Sequence, residues 1–483
     1  MIARSLFVWL SFGLALFAVT VFTQEAEFDP TSFSLALLFA SPIFLSVQLG
    51  GLGREANDRF RYPSVSFLVL SAWVLGVAPS LIVDAPESHV WFRFTDSSIP
   101  IARVFFVSWC TLFVLAAGRP APDHIKLIAG RTHLITISSM SFLMILYLVR
   151  GGLFSAYRST ESAETLLPGS QAATVQILGG VLFSLLPALF LLIATQQRPG
   201  NPRTLAWIAF AVSWLALFLM ASRASIAIGV ATCLLLGRKL NLRLNVTTLT
   251  TVGIGLPLVF VLMTTYREAL RASEGSTNIG QYISVASDVT SSLNVQERRA
   301  NALEGFETNT RMRFWYGQQF CVVVDEWLDH GAALHGSLFS GVVRTIPTLI
   351  YPEKNQIANS MEFELALMAL GKFPPIDLAP TPWMQWLFEF GLLGMLAGPI
   401  FYGLLARLID KRLSHTGSLY EASFWLQLFA LMFSPEHTTD MLALGARSML
   451  IVITMFIAID FAVDKLTAGS ALRETATRGT QPS

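Results

Sequence analysis

Long apolar stretches recur about twelve times along this 483-residue chain, and they leave few folds open to it. A helix needs roughly 20 apolar residues to cross a hydrocarbon core of about 30 Å, because in lipid each backbone N–H and C=O must be bonded within its own segment. We place the spans at about 5–23, 32–50, 64–83, 101–117, 133–149, 175–195, 205–221, 225–237, 246–265, 383–405, 420–434 and 444–463. The fold class is therefore read as an all-α polytopic membrane protein. A composition of 53% hydrophobic and 13% charged residues excludes an ordinary soluble domain. The first stretch lacks a small-x-small cleavage site and runs into the acidic TQEAEFDP, so it is read as a retained span rather than a signal peptide. Cys110 and Cys233 fall within spans and Cys321 stands alone, so no intrachain disulfide is expected.

Charge gives the chain a direction. Alternating the spans puts 18 of the 33 Lys and Arg residues in short loops and termini on one side, among them Arg54, Arg59, Arg61, Arg238, Lys239, Lys411 and Arg412. By the positive-inside rule that side is cytoplasmic, with both termini in the cytoplasm. The remaining 15 gather outside or near the outer span ends, and most are arginine. An arginine-lined outer face implies work on an anion there.

Four regions follow: spans one to nine in residues 1–265, a large outer loop at 266–382, spans ten to twelve at 383–464, and a disordered cytoplasmic tail at 465–483. The loop far exceeds an ordinary connection. It holds apolar and aromatic runs such as FWYGQQFCVVVDEWL, so it reads as a mostly helical, folded subdomain. No internal repeat is visible, which argues against an inverted-repeat transporter.

Arg223 is the sharpest single position. The span after it offers only about 14 apolar residues before Arg238 and Lys239, too few for a full crossing. The Ser222-Arg223 turn should then lie below the outer surface, where an arginine needs a partner or a wet cavity. A guanidinium stays charged and grips phosphate oxygens bidentately; a snorkelling helix-end arginine is the bland alternative. Tyr157-Arg158 in the third outer loop, Arg267 beyond span nine, and Arg311 and Arg313 before Phe314-Trp315-Tyr316 are further candidates. Aromatic faces stack on sugars while arginines hold phosphate. The segment HGSLFSGVVRTIPTLIYPEK adds His335, a candidate general base, and Arg344. Glu389, His437, Asp440 and Arg447 also belong to the outer half. No phosphate-binding glycine loop, dinucleotide fingerprint or zinc-ligand spacing is present, and no metal site or cofactor is expected.

Several of these segments resemble the O-antigen polymerases of the Wzy type, the oligosaccharide repeat-unit polymerases of bacterial envelopes. MASRAS looks like the family's Ser-Arg turn, and Tyr266-Arg267 precedes a large outer loop. HGSLFSGVVRTIPTLIYPEK looks like its "G-S…IP…P-K" stretch, FEFGLLG like its "FG-x-x-G" signature, and Arg158-x10-Gly169 like its Arg-x10-Gly pattern. The chain departs in lacking a second such pattern and in carrying Gln385 where many relatives have Glu.

The resemblance implies a metal-independent, inverting glycosyltransferase in the bacterial inner membrane. It would polymerise repeat units on the periplasmic face, transferring a glycan from undecaprenyl pyrophosphate to a sugar hydroxyl of another lipid-linked unit. Arg158, Arg223, Arg267, Arg311, Arg313 and Arg344 would hold the pyrophosphate and His335 would take the proton. Expected partners are that lipid-linked oligosaccharide, membrane lipid and a chain-length regulator, with no nucleic acid. The rival readings are an O-antigen ligase acting on lipid A core, a polysaccharide-lipid transporter or flippase, and a receptor-like scaffold.

Overall fold

The computed structural model describes residues 30–54, 60–82, 94–121, 133–139, 141–142, 184–219, 223–240, 316–332 and 380–478, with single positions at 13, 242, 338, 343, 345, 346 and 351. In chain order they form α1 (Pro30–Gln48), β1 (Leu52–Arg54), β2 (Phe60–Pro63), α2 (Val65–Ile82), α3 (Ser98–Ala117), α4 (Leu186–Gln196), α5 (Asn201–Leu219), α6 (Arg223–Lys239), α7 (Tyr316–His330), α8 (Pro382–His415), α9 (Leu419–Phe433) and α10 (Thr439–Arg478). Among the described residues, five helices are long and apolar enough to cross a membrane: α1, α2, α3, α8 and the Met441–Ala462 part of α10. Helices α4 and α9 are apolar but shorter. The chain is a polytopic, helical membrane protein. The spans expected at 246–265 and, apart from Gly13, at 5–23 lie outside the described residues, as does much of 133–149.

The bundle packs around α2, α3 and α8. Trp73, Phe106, Trp109, Phe113, Trp383 and Tyr402 form an aromatic knot with no solvent exposure. Their rings meet at centroid distances from 4.8 Å (Trp73–Phe113) to 6.3 Å (Trp109–Trp383), several edge to face. That arrangement sets the positive ring edge of one aromatic against the negative face of the next. The Trp73 indole N–H reaches α9 and donates to the Met432 carbonyl at 3.0 Å. Apolar side chains on the outside, such as Leu205, Ile208 and Val212 of α5 and Leu393, Leu396 and Leu404 of α8, suit contact with lipid.

Helix α8 corrects the straight span expected at 383–405. Gly391 has φ 57° and ψ −136°, a backbone state that an L side chain resists, and it breaks the helix in two. Residues 382–390 fold back along residues 392–415. The Trp386 ring consequently lies 5.9 Å from Phe401, and a Cβ on Gly398 would stand 2.8 Å from Trp386 Cγ. Trp383 and Tyr402, 19 positions apart, both touch Trp73 and Trp109. At about 1.5 Å per residue, Tyr402 is about 16 Å along the crossing from Gly391. The segment 382–390 is thus a half-helix that starts deep in the bundle, with Thr381 at 0% exposure, and climbs to Gly391.

Helix α7 lies over the Gly391 end. Gly317 donates its N–H to Ser80 Oγ at 2.9 Å, and Trp327 packs on Phe105 at 5.6 Å. A Cβ on Gly391 would stand 2.8 Å from Trp327 Nε1. Asp325 accepts from the Thr95 backbone at 3.2 Å and from the Thr95 hydroxyl.

At the opposite end, β1 and β2 pair antiparallel, Leu52 facing Pro63 and Arg54 facing Phe60. Arg238 and Lys239, expected in a short cytoplasmic loop, are instead the buried last turn of α6, 6% and 1% exposed. The reason is a counter-ion that the sequence does not place beside them. Lys239 Nζ lies 2.9 Å from Asp410 Oδ1, 2.7 Å from Ser414 Oγ and 3.1 Å from the Asp410 carbonyl. Asp410 Oδ2 accepts from Ala121 N, and Arg238 donates to the Gly51 carbonyl at 3.1 Å. The tail differs as well, since α10 continues to Arg478 where a disordered segment was expected from 465. Leu466, Ala468, Ala471, Leu472, Arg473 and Ala476 favour helix, and extending an existing helix needs no new nucleus.

Candidate functional site

Polar groups concentrate beside α7, where the half-helix 382–390 meets the turn between α9 and α10. The turn is SPEHTT, and five contacts fix it. Thr439 N donates to Gln385 Oε1 at 2.9 Å. The Thr439 hydroxyl receives the Trp386 indole N–H at 2.9 Å and lies 3.1 Å from the Tyr402 hydroxyl. The Tyr316 hydroxyl of α7 donates to Glu436 Oε1. His437 Nδ1 lies 3.1 Å from the Leu431 carbonyl, in the last turn of α9.

Sequence dictates why these groups meet. Ser434-Pro435 ends α9, since the proline has no N–H to continue the ladder and its ring crowds the preceding residue. Thr439 then opens α10. On the other side Thr381-Pro382 starts the half-helix, proline at the first helical position costing no hydrogen bond. Gln385 is one turn in, facing Thr439. The half-helix N-terminus carries free backbone N–H groups and the positive end of its dipole. Thr381 Oγ1, Trp383 Nε1 and Trp109 Nε1 are buried beside it without a hydrogen-bond partner among the described residues.

The electrostatics are mixed. Glu389 is 2% exposed, while Glu436 and His437 are half-buried. Burial holds the His437 imidazolium pKa below its ordinary value, against the opposing pull of the Leu431 carbonyl and the Glu436 carboxylate. The Leu431 oxygen can only accept, so Nδ1 carries the proton and Nε2 keeps its lone pair. Chemically, the turn and the side chains bonded to it offer a neutral imidazole with a free acceptor nitrogen, a carboxylate and several N–H and O–H donors.

Arg158, Arg267, Arg311, Arg313, Arg344 and His335 lie outside the described residues. Arg223 is the first residue of α6, and 16 residues at about 1.5 Å set its backbone about 24 Å from Lys239. That distance is less than the roughly 30 Å of a hydrocarbon core. Of the aromatic run after Arg313, Tyr316 is 6% exposed and joins the core while its hydroxyl reaches Glu436. Arg103, one of the outward arginines, caps α2 by donating to the Leu81 carbonyl at 2.6 Å.

Sequence reasoning named His437, Glu389 and Gln385 but missed the Tyr316–Glu436 contact. The signal was the polar run SPEHTTD between two apolar helices. The glycines of FEFGLLG also acquire a physical meaning. Gly391 makes the reversal, and Gly394 lets residues 392–415 approach the Trp386 carbonyl, where a Cβ would collide. No protein-family model, curated protein or solved structure matches the chain.

Proposed function

We propose that this protein is a metal-independent glycosyltransferase of about twelve spans in the bacterial inner membrane. It joins lipid-linked oligosaccharide repeat units on the periplasmic face, in O-antigen or exopolysaccharide synthesis. The donor is a glycan on undecaprenyl pyrophosphate and the acceptor a sugar hydroxyl of a second lipid-linked unit. The α7 end is the periplasmic end in this reading, and the Lys239–Asp410 end is cytoplasmic.

The observation that carries the proposal is the position of Arg223. Helix α6 is anchored at one end by a buried ion pair and begins about 24 Å away, at its other end, with an arginine, within membrane thickness. A positive charge there suits a lipid pyrophosphate, whose developing charge is the main demand of the transfer. Arg158, Arg267, Arg311, Arg313 and Arg344 are its proposed companions. A ligase would share this donor chemistry and differ in its acceptor.

The test uses the purified full-length protein with a lipid-linked repeat unit, with and without chelator. Ladder formation in both conditions is expected. Arg223→Ala should abolish the ladder while the protein remains inserted, and Arg223→Lys should restore it poorly, because an ammonium lacks the planar fork. Normal ladders from Arg223→Ala would remove the phosphate role. In cells, loss of the gene should leave core capped by a single unit; uncapped core would identify a ligase instead.

A further inference from the structure

Building on the transferase reading, we infer that His437, rather than His335, accepts the proton of the attacking sugar hydroxyl. Three independent features of the α9–α10 turn lead there. The first is the tautomer: with Nδ1–H committed to the Leu431 carbonyl at 3.1 Å, Nε2 is the basic nitrogen, and it has no hydrogen-bond partner among the described residues. The second is rigidity. Glu436 on one side is held by Tyr316, and Thr439 on the other is held by Gln385, Trp386 and Tyr402, so the imidazole is fixed by both its neighbours and its own bond. The third is access, for Thr438 is 2% exposed whereas His437 is half-buried and keeps part of its surface open.

The step balances without a metal or redox partner. The acceptor hydroxyl gives its proton to Nε2, and its oxygen lone pair forms the new bond to the anomeric carbon. The bond from that carbon to the pyrophosphate oxygen breaks, its electron pair leaving with the lipid pyrophosphate. The imidazolium then returns its proton to water. Burial, which keeps the ring neutral before the reaction, acts in the same direction. Glu436 beside it offsets the positive charge as it forms; Tyr316 and Tyr402, bonded to the same turn, Asp325 of α7, and Glu389 and Arg447 are among the other titratable groups on the helices packed around it.

The deciding variant is His437→Asn, whose side-chain N–H can replace Nδ1 at the Leu431 carbonyl but which has no basic nitrogen. With the lipid-linked repeat unit as probe, a fall in turnover of at least about 100-fold is expected, within the range of general-base removal. His335→Asn should fall less. A smaller fall for His437→Asn, with normal melting, overturns the assignment while the transferase reading stands. If the wild-type protein forms no ladder, the transferase reading itself fails. Should His437→Asn not fold, ethoxycarbonylation of the wild-type protein decides. Loss of turnover that tracks modification of His437, slowed by the lipid-linked unit, supports the assignment; full turnover with His437 modified, or inactivation with His437 intact, overturns it.

Discussion

The two ends of this bundle solve the same problem, polar groups within an apolar body, in opposite ways. At the Asp410 end the charges are sealed: Lys239 has three oxygen neighbours at 2.7 to 3.1 Å and no exposure of its side chain. At the α7 end the polar groups are half-open, and several buried donors have no partner among the described residues. A sealed pair fixes how helices sit against one another. A half-open set holds groups ready for something that arrives from outside. The contrast assigns support to one end and encounter to the other.

The comparison can be broken most forcefully at the sealed end. Asp410→Ala leaves the Lys239 ammonium buried without its counter-ion, which costs about 3–5 kcal/mol. The expected outcome is a large drop in the detergent melting temperature or failure to accumulate. Lys239→Met with Asp410→Leu should regain most of that stability, since well-packed apolar replacements of a buried pair are often neutral. Recovery of stability and ladder formation together would show a purely supporting role.

The next effect belongs to Gly391. Gly391→Ala must adopt a strained backbone, worth about 1–3 kcal/mol, and must displace Trp327. Turnover should fall more than melting temperature, because the change falls at the end of the half-helix that holds Thr439. Tyr316→Phe is smaller, about 1 kcal/mol from one hydrogen bond to a half-exposed carboxylate, and should loosen the Glu436 turn, read as faster hydrogen exchange in residues 434–439.

The smallest expected effect is in pH. The His437 pKa is lower folded than unfolded, where it is about 6.5. Below that value the unfolded chain binds the proton more readily, so stability falls as pH drops and is fully present above it. The difference in melting temperature between wild type and His437→Asn should therefore change below about pH 6.5 and level off above it. A flat difference from pH 5 to 8 would show that the imidazole is not held neutral.

Much of the helical architecture was legible, for a simple reason. Crossing helices must be long and apolar throughout, and α2 at Val65–Ile82 lies within one residue of the span read at 64–83. What could not be read depends on pairs distant in sequence. Nothing around Lys239 announces Asp410, 171 positions away, and counting basic residues by side treats it as a loop charge. The reversal at Gly391 was hidden because its apolar flanks read as one span, although the glycine itself was visible in FEFGLLG. The candidate site was half legible: SPEHTTD stood out as polar between apolar helices, but its meeting with Gln385 and Tyr316 is a tertiary event.

The half-helix also bears on how the protein is made. Nine residues are too short to partition into a bilayer alone, so residues 382–390 cannot be inserted as an independent segment. They need the aromatic walls of α2 and α3 already in place, and those are synthesised some 300 residues earlier. Seating this piece is therefore a late step, after the crossing helices have been laid down. Pro380 and Thr381, the last residues of the preceding polar stretch, are drawn into the bundle with it. That stretch is thus tied to the bundle at its end as well as through α7.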